Sequence, residues 1–409
     1  MEDRMEEGSE QGDYRVVDDL TGEAHFEDED SSSDEGGEED AGPSGGGHAD
    51  VEDDSLHSFE GHQDSVLSVA WSPVHPDLVA SGGQDDKAFI WRVGQDAFES
   101  TDGSLGTSIL EGHTDTVACI AFNCQGTHVA TGGMDGLVKV WEAGSGRLVQ
   151  TLEGPEGAIE WVRWHPKGNV LLAGSDDMTM WMWLALTGAY MQMFAGHSGP
   201  VTDGRFSADG KIIVSVGGDE DCSLRVWNPK TGECITTIAG FPFHEAPITC
   251  LALHHSLEMA ITGAEDGSVR ISSIGQSSQH RILPQLTGHQ ESVEAVGFCA
   301  HLPLAASAGV DCCLRVWEYN TCVERATCVH PDVVTRMAWH PTMPMVITGC
   351  ADGVARCWDL RTGGLVQQYR GHTAVIQDLA LSPDGSMLLT GSDDNTAKVF
   401  LTAGGSAAN

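Results

Sequence analysis

The chain has 409 residues and carries 61 Asp and Glu against 21 Lys and Arg, a formal net charge of −40 at pH 7. This balance argues against a nucleic-acid backbone as partner, because such binding relies on clustered Lys and Arg, and it favours basic proteins or peptides. The alternative is that the acidity only aids solubility. The 12 Cys include no Cys-x-x-Cys pair, which is typical of buried, reduced thiols.

The N-terminal segment, residues 1–54, holds 22 Asp and Glu against two Arg and shows no sustained apolar period. Such a segment cannot bury enough apolar surface to offset the entropy of ordering, so we expect a disordered acidic tail. It has no apolar signal-peptide core after a basic start. Ser31, Ser32 and Ser33 precede two acidic residues, a pattern that an acid-preferring kinase could use; an unmodified linker is the alternative.

From residue 55 onward one pattern repeats, and its plainest copy runs from Gly112 to Trp141. Gly-His is followed by two apolar stretches, an Asp and a terminal aromatic residue, 28 to 30 residues after the His in the five complete copies. Three further copies lack one marker. All eight copies carry an Asp six residues before the terminal position: Asp85, Asp135, Asp177, Asp221, Asp266, Asp311, Asp352 and Asp394.

Successive copies start roughly 40 to 50 residues apart, and a repeat of this length with these markers is the signature of a four-stranded blade of the WD-repeat kind. The sequence therefore predicts an all-β fold, an eight-bladed WD40 β-propeller over residues 55–401, followed by a flexible end at 402–409. The first copy begins with a strand-like stretch at 55–59, whereas the last copy lacks an outer strand. We expect the N-terminal strand to complete the last blade, because this would remove the exposed sheet edges of an open ring.

A His, a Ser or Thr, an Asp and a Trp recur together in several copies. A Ser-His-Asp set suggests a hydrolase, but catalysis needs one such set beside an oxyanion site, whereas here it recurs once per blade. We predict a structural hydrogen-bond network, no catalytic residue, no cofactor and no metal site. The clearest sets are His62, Ser81, Asp85 and Trp91; His113, Thr131, Asp135 and Trp141; His289, Ser307, Asp311 and Trp317; and His330, Thr348, Asp352 and Trp358.

Acidic residues from different repeats occur beside the repeated Asp or near the start of the predicted innermost strands. Because the Gly-His and Asp turns should share one rim, we expect these carboxylates to surround the channel mouth and attract a cationic segment. The alternative is that acidic residues simply suit exposed turns. The predicted partner-binding set is Asp86, Glu160, Asp176, Glu220, Glu265, Glu294 and Asp393.

Two stretches raise other possibilities. Met178–Gly196 contains no charged residue and is long enough to span a membrane, but Thr187 lies in a turn register shared with other repeats, so we predict two strands and no membrane span. Trp358 and Arg361 resemble a short motif with which some propellers dock on a cullin ubiquitin-ligase adaptor. An ordinary strand leading into a turn is the alternative.

Beyond the general repeat, the runs 82–92, 159–183, 292–306 and 369–400 resemble the angio-associated migratory cell protein family over about residues 55–401. The resemblance implies a soluble, mainly cytoplasmic propeller without enzymatic activity, and we separately expect a monomer. Family members are associated with cell migration, and a related WD-repeat chaperone escorts a basic large-subunit ribosomal protein. We expect the protein to capture basic protein segments. The interpretation we favour is a chaperone for a basic large-subunit ribosomal protein. The alternatives are a scaffold in migration or angiogenesis-type signalling and a substrate receptor of a cullin-type ubiquitin ligase.

Overall fold

The computed structural model describes residues 52–95, 106–275 and 282–402. Within these ranges the chain forms 31 β-strands that assemble into eight sheets. The predicted eight-bladed all-β propeller is thereby confirmed. Most of the predicted acidic tail, residues 1–51, and residues 403–409 of the predicted flexible end lie outside the described residues.

Each of the first four blades contains four strands, numbered from the channel outward. Blade 1 contains β2 (Val66–Trp71), β3 (Leu78–Gly83), β4 (Ala88–Arg92) and β5 (Thr107–Leu110). Blade 2 contains β6 (Val117–Phe122), β7 (His128–Gly133), β8 (Val138–Glu142) and β9 (Leu148–Leu152). Blade 3 contains β10 (Ile159–Trp164), β11 (Val170–Ser175), β12 (Thr179–Leu184) and β13 (Ala189–Ala195). Blade 4 contains β14 (Val201–Phe206), β15 (Ile213–Gly217), β16 (Leu224–Trp227) and β17 (Cys234–Ile238).

The remaining blades continue the ring. Blade 5 contains β18 (Ile248–Leu253), β19 (Met259–Ala264) and β20 (Val269–Ser273). Blade 6 contains β21 (Val293–Phe298), β22 (Leu304–Gly309), β23 (Cys313–Glu318) and β24 (Val323–Val329). Blade 7 contains β25 (Val334–Trp339), β26 (Met345–Cys350), β27 (Ala355–Asp359) and β28 (Gly364–Tyr369). Blade 8 contains β29 (Ile376–Leu381), β30 (Met387–Ser392), β31 (Ala397–Leu401) and β1 (His57–Phe59).

Blade 5 departs from the four-stranded expectation. Its described residues form three strands and no fourth, outer strand. Instead, two isolated bridges pair residues with β20: Val269 with Leu286 and Ser272 with Ile282. The uncharged stretch from Met178 to Gly196 forms strands β12 and β13 with a turn between them. No helix in the described ranges is long and apolar enough to cross a membrane.

The core lies between adjacent blades. The second strand of each blade is buried along its length, as in Leu78–Gly83 and Met345–Cys350, because a neighbouring blade covers each of its faces. The terminal aromatic residues of the repeats fill the space further out, and Trp91, Trp183 and Trp227 are each 1% exposed. This burial explains why the second strands are continuous runs of apolar and small residues rather than alternating ones.

Hydrogen bonds between consecutive inner strands hold the ring around the channel. Thr202 Oγ1 donates to Ile248 O at 2.6 Å, and Trp161 Nε1 donates to Val201 O at 2.8 Å. The ring closes where β29 lies against β2. All eight inner strands contain a register shift between their first and third residues. Such bulges redirect side chains at the start of a strand, which here is the end at the channel mouth.

The N-terminal strand completes the last blade. Strand β1 pairs antiparallel with β31, with Ser58 opposite Lys398. Residues assigned to the tail from the sequence also contact this blade and its entry, because Asp53 Oδ2 accepts a bond from Lys398 Nζ at 2.7 Å and Asp54 N donates to Arg370 O, between β28 and β29, at 2.9 Å. At the other end Thr402, which was predicted to be flexible, is buried and its N donates to Ser386 O at 3.0 Å.

Candidate functional site

One rim of the propeller carries both the Gly-His turns and the Asp turns. In five blades the inner strand follows a Gly-His turn and in the other three it follows the equivalent turn, and the antiparallel second strand returns the chain to the same end. Backbone bonds join the two turns, as Met134 N donates to Thr116 O at 2.8 Å and Asp176 N to Ala158 O at 3.1 Å. We call this the upper rim, and the opposite one the lower rim.

A buried hydrogen-bond network fixes the upper-rim turns. In blade 2, His113 Nδ1 lies 3.0 Å from the Asp135 carboxylate, and His113 Nε2 lies 2.8 Å from Thr131 Oγ1. Trp141 Nε1 donates to the same hydroxyl at 2.9 Å. Burial lowers the pKa of His113 although Asp135 opposes the shift, so a neutral imidazole fits this environment. A Thr131 hydroxyl that is fully buried and shared in this way cannot reach a substrate.

The same arrangement recurs in four other blades. The His Nδ1 faces an Asp carboxylate and the His Nε2 faces a Ser or Thr hydroxyl in the sets His62, Asp85 and Ser81; His197, Asp221 and Ser215; His289, Asp311 and Ser307; and His372, Asp394 and Thr390. Where the terminal residue is Trp, its indole also donates to that hydroxyl, as in Trp91, Trp227 and Trp317.

Blade 7 departs from the predicted network. The Asp352 carboxylate does not accept a hydrogen bond from His330. It accepts two from the Arg356 guanidinium instead, at 3.1 and 2.6 Å. His330 Nδ1 lies instead 3.2 Å from Cys328 O, while its Nε2 keeps Thr348 Oγ1 at 2.8 Å, and Trp358 Nε1 donates to that hydroxyl. Burial and the nearby Arg356 lower the pKa of His330 to about 4. The guanidinium competes successfully because it offers Asp352 two charge-assisted bonds.

Two carboxylates of blade 3 face each other at the channel mouth. Glu160 is the second residue of β10, within the bulge, and is exposed. Asp176 occupies the turn after β11, where its carboxylate packs so closely on Gly157 that a side chain at 157 would collide with it. Although the residue as a whole is exposed, partial desolvation of its carboxyl by the channel walls and the negative charge of Asp176 raise the pKa of Glu160. The second of these causes shows that the two carboxylates are near enough for their charges to act on each other.

Three further carboxylates occupy equivalent places. Glu294 is the second residue of β21, where it accepts a bond from Ser292 Oγ at 2.7 Å. Glu265 lies in the turn after β19, and its N donates to Pro247 O at 3.0 Å. In blade 8 the corresponding Asp393 accepts a bond from Gln377 Nε2 at 2.9 Å. We call Glu160, Asp176, Glu265, Glu294 and Asp393 the acidic mouth.

Two residues of the predicted set lie elsewhere on the upper rim. The blade 4 turn is two residues longer, so that Gly218 N, rather than Glu220 N, bonds Pro200 O at the mouth position. Asp86 follows the structural Asp instead of preceding it and has a φ of 61°. Its charge acts on His113 of the next blade, where burial is the stronger influence on the pKa. Neither residue occupies the position shared by the acidic mouth.

Charged residues inside the channel were not predicted. The channel encloses a cavity of about 360 Å³ lined by side chains from all eight inner strands. Asp203 is shared by two cations, Arg163 at 3.0 Å and Arg205 at 3.3 Å. Burial alone would raise the pKa of Asp203, but Arg205 and Arg163 lower it. These two arginines could have been found from the sequence, because each occupies the fifth position of its inner strand and the two strands are consecutive in the ring.

A second channel carboxylate helps to close the ring. Asp378 on β29 accepts bonds from Ser68 Oγ at 3.1 Å and Val69 N at 2.9 Å, both on β2. Burial raises the pKa of Asp378 although Arg336 of the neighbouring blade opposes the shift.

Among the residues that the structure describes, no group of three or more His, Cys, Asp or Glu is arranged to hold a metal ion.

The residues of the suggested ligase-adaptor motif are engaged within blade 7. Trp358 is 7% exposed and its indole donates to Thr348 Oγ1. Arg361 donates to the Asp359 carboxylate at 3.0 and 2.7 Å. This geometry is that of an ordinary third strand leading into a turn, so the adaptor hypothesis receives no support here.

Comparison with known proteins agrees with the geometry. The WD domain, G-beta repeat, model matches eight segments of the chain: 53–92, 104–142, 146–183, 188–228, 232–271, 280–318, 322–359 and 363–400. The angio-associated migratory cell protein of dog is 37% identical over 360 residues, covering 85% of this chain and 80% of that protein. The chain belongs to the angio-associated migratory cell protein family. The human family member is 36% identical over the same coverage.

Solved structures extend the comparison to other WD40 propellers. Sqt1 from Chaetomium thermophilum superposes with a TM-score of 0.77 and 23% identity, covering 86% of this chain and 100% of Sqt1. One such structure holds Sqt1 bound to the N-terminus of the ribosomal protein L10. At this identity the likeness is one of fold.

Proposed function

We propose that this protein captures basic protein segments at the acidic mouth and acts as a chaperone for a basic large-subunit ribosomal protein of the L10 kind. The observation that carries the proposal is the unneutralised charge at the mouth. In the described part of the chain, none of Glu160, Asp176, Glu265 and Glu294 takes part in a salt bridge.

Carboxylates arranged around a concave opening focus the electric field and raise the local concentration of cations. A Lys- or Arg-rich segment would neutralise these carboxylates. The electrostatic attraction would favour fast association and selection of basic partners. Arg163 and Arg205 limit how deep a cation can enter. Each lies three residues beyond the mouth position of its inner strand, Glu160 in β10 and Thr202 in β14, which corresponds to about 10 Å of strand. The segment is therefore expected to lie across the mouth.

Sqt1 supports the class of partner, because this propeller of the same fold is known bound to the N-terminus of L10. A newly made ribosomal protein is cationic, and an anionic mouth would shield it from aggregation and from RNA. The proposed role requires binding and release but no covalent chemistry, and it would be carried out in the cytoplasm, where ribosomal proteins are made.

Co-expression tests this role. Ribosomal protein L10 is produced alone, with the full chain, or with the variant Glu160→Lys/Asp176→Lys/Glu265→Lys/Glu294→Lys, and lysates are treated with nuclease. The proposal expects L10 to become soluble and to copurify with the wild type only. A control variant reverses four carboxylates of the lower rim: the half-buried Glu142 and the exposed Asp209, Glu233 and Glu258. Equal rescue of L10 by all three proteins, or rescue by none, contradicts the proposal.

A scaffold role in cell migration is the second candidate, favoured by the name of the family members at 36–37% identity. A scaffold need not use the acidic mouth. It would be supported if purification from nuclease-treated cells recovered signalling proteins in equal amounts with the wild type and the four-carboxylate variant.

A further inference from the structure

The outer face of blade 3 carries an apolar surface outside the acidic mouth. The 19 residues from Met178 to Gly196 include no Asp, Glu, Lys or Arg. On strand β13, Tyr190 is 57% exposed, and Met191 and Met193 are exposed as well. Contiguous exposed apolar surface is uncommon on soluble proteins and typically marks a place of contact. We call Trp181, Tyr190, Met191 and Met193 the blade 3 patch.

Trp181 stands where most blades carry a cation. The equivalent residue of the third strand is basic in six blades: Lys139, Arg225, Arg270, Arg315, Arg356 and Lys398. Blade 1 also has an aromatic residue there, Phe89, but the rings of Phe59 and His62 cover it at 5.2 and 4.6 Å and leave it 4% exposed. Blade 1 therefore provides an internal comparison for blade 3.

Among the described residues Trp181 is covered less completely than Phe89: it stacks on the buried Trp183 at 6.2 Å and remains half-buried. Its ring meets the edge of Tyr190 at 5.7 Å, and its cross-strand neighbour is Met193, so its nearest companions on β13 are themselves exposed. Gly154 packs on the indole face, where a side chain would collide. Aromatic rings beside flexible Met side chains form an adaptable apolar surface.

The patch lies on an open sheet edge. Strand β13 is the outermost strand of its sheet, and within the described residues no strand pairs with its outer side. The outer strands β5, β9, β17 and β28 are also free of charged residues, so an uncharged open edge is common in this ring. What distinguishes β13 is that its open edge, whose backbone can accept an added strand, lies beside exposed aromatic and Met side chains.

We propose that the outer edge of blade 3 docks an extended apolar stretch of the same partner whose basic residues occupy the acidic mouth. This inference rests on the proposed function. The occupant follows from continuity and charge, because Asp176 and Glu156 are exposed on the upper rim of the same blade and Glu153 is exposed just before Gly154. A segment with basic residues next to alternating apolar ones satisfies both surfaces. A second copy of this chain is disfavoured, since each carries a net charge of −40.

Hydrogen–deuterium exchange with full-length ribosomal protein L10 tests the docking. The amides of β13 should gain protection in the complex, together with those around Glu160 and Asp176. The variant Tyr190→Lys/Met193→Lys should bind L10 at least about tenfold more weakly, as expected when an aromatic anchor is lost. The matched control, Leu365→Lys/Val366→Lys, alters two exposed apolar residues of the outer strand β28 and should bind like the wild type. Thermal unfolding verifies that both variants fold.

Three outcomes overturn the inference in different ways. Protection around Glu160 and Asp176 without protection of β13 rejects the blade 3 docking site and leaves the proposed function standing. A complete lack of L10 binding rejects the proposed function and the inference with it. A dimeric mass in solution that becomes monomeric in Tyr190→Lys/Met193→Lys would assign the edge to a second copy of this chain.

Discussion

Asp53 Oδ2 lies 2.7 Å from Lys398 Nζ, joining residues that are 345 positions apart in the chain. Lys398 belongs to β31, the strand on which β1 closes the ring. Partial burial alone would raise the pKa of Asp53, but hydrogen bonds from Lys398 and Ser55 lower it to about 2. The acidic segment that precedes the first strand therefore contributes a charge to the closure of blade 8.

Replacing this charge should weaken the closure. We expect Asp53→Asn to lower the free energy of unfolding by up to about 1 kcal/mol, because the carboxylate is partly exposed and screened by solvent. The contribution of an acid with a lowered pKa is present above its unfolded value of 3.8 and is lost as the pH falls towards 2. Denaturant unfolding at several pH values measures this, with Glu291→Gln as the control. Equal stability of Asp53→Asn and the wild type at pH 7 would contradict the prediction.

The buried network should be sensitive to the loss of one hydroxyl. Thr131→Val keeps the shape but leaves His113 Nε2 and Trp141 Nε1 without their shared partner. Unsatisfied buried polar groups of this kind cost about 1–3 kcal/mol of stability. Denaturant unfolding measures the loss, and Thr373→Val, at an exposed position of the same rim, should leave stability unchanged. A similar effect of the two substitutions would argue against the network.

Binding of a basic partner should depend on pH through Glu160. The pKa of Glu160 is raised above 4.5, and a cationic ligand prefers the ionised carboxylate. Affinity should therefore increase as the pH rises through this pKa and level off above it. Fluorescence anisotropy with the N-terminal peptide of L10, at constant ionic strength, measures the profile. Glu160→Gln should flatten it, whereas Glu258→Gln on the lower rim should not; an unchanged profile in Glu160→Gln would exclude this carboxyl as its source.

The acidic N-terminal segment should act on the rate of association. Its charge has the same sign as the mouth, so it is expected to attract a basic partner over a screening length of about 8 Å at physiological salt. Deleting residues 1–51 should slow association by about tenfold at low salt and change dissociation little. Stopped-flow measurements at low and high salt test this, because the difference should disappear at high salt. Faster dissociation after the deletion would point to direct contacts instead.

The fold could be predicted because its markers are local. The Asp that precedes each terminal position by six residues identifies the eight blades, because this part of the third strand and its turn has the same length in every copy. Contacts between distant segments could not be predicted in this way. Either His330 or Arg356 could bind Asp352, and the choice depends on which side chain reaches the carboxylate in the folded protein. The Arg356 guanidinium is the group that reaches it. The pairing of Asp53 with Lys398 is of the same kind.

The sequence predicted that the candidate site would be made of carboxylates, but it predicted the positions of only some of them. Glu160 and Asp176 come together because the bulge and the turn of blade 3 meet at one rim. Glu220 was misplaced because the turn of blade 4 holds two extra residues, a difference visible in its 30-residue spacing from His197 to Trp227. Arg163 and Arg205 were missed because their alignment appears only when inner strands are compared with one another.

The most direct test of the central claim is the affinity of the full chain for the N-terminal peptide of ribosomal protein L10. It should be measured for the wild type, for the reversal of Glu160, Asp176, Glu265 and Glu294 to Lys, and for the equal reversal of the lower rim. The account predicts salt-sensitive binding that is roughly a hundredfold weaker in the mouth variant and unchanged in the lower-rim variant. Equal affinity of the mouth variant and the wild type would contradict it.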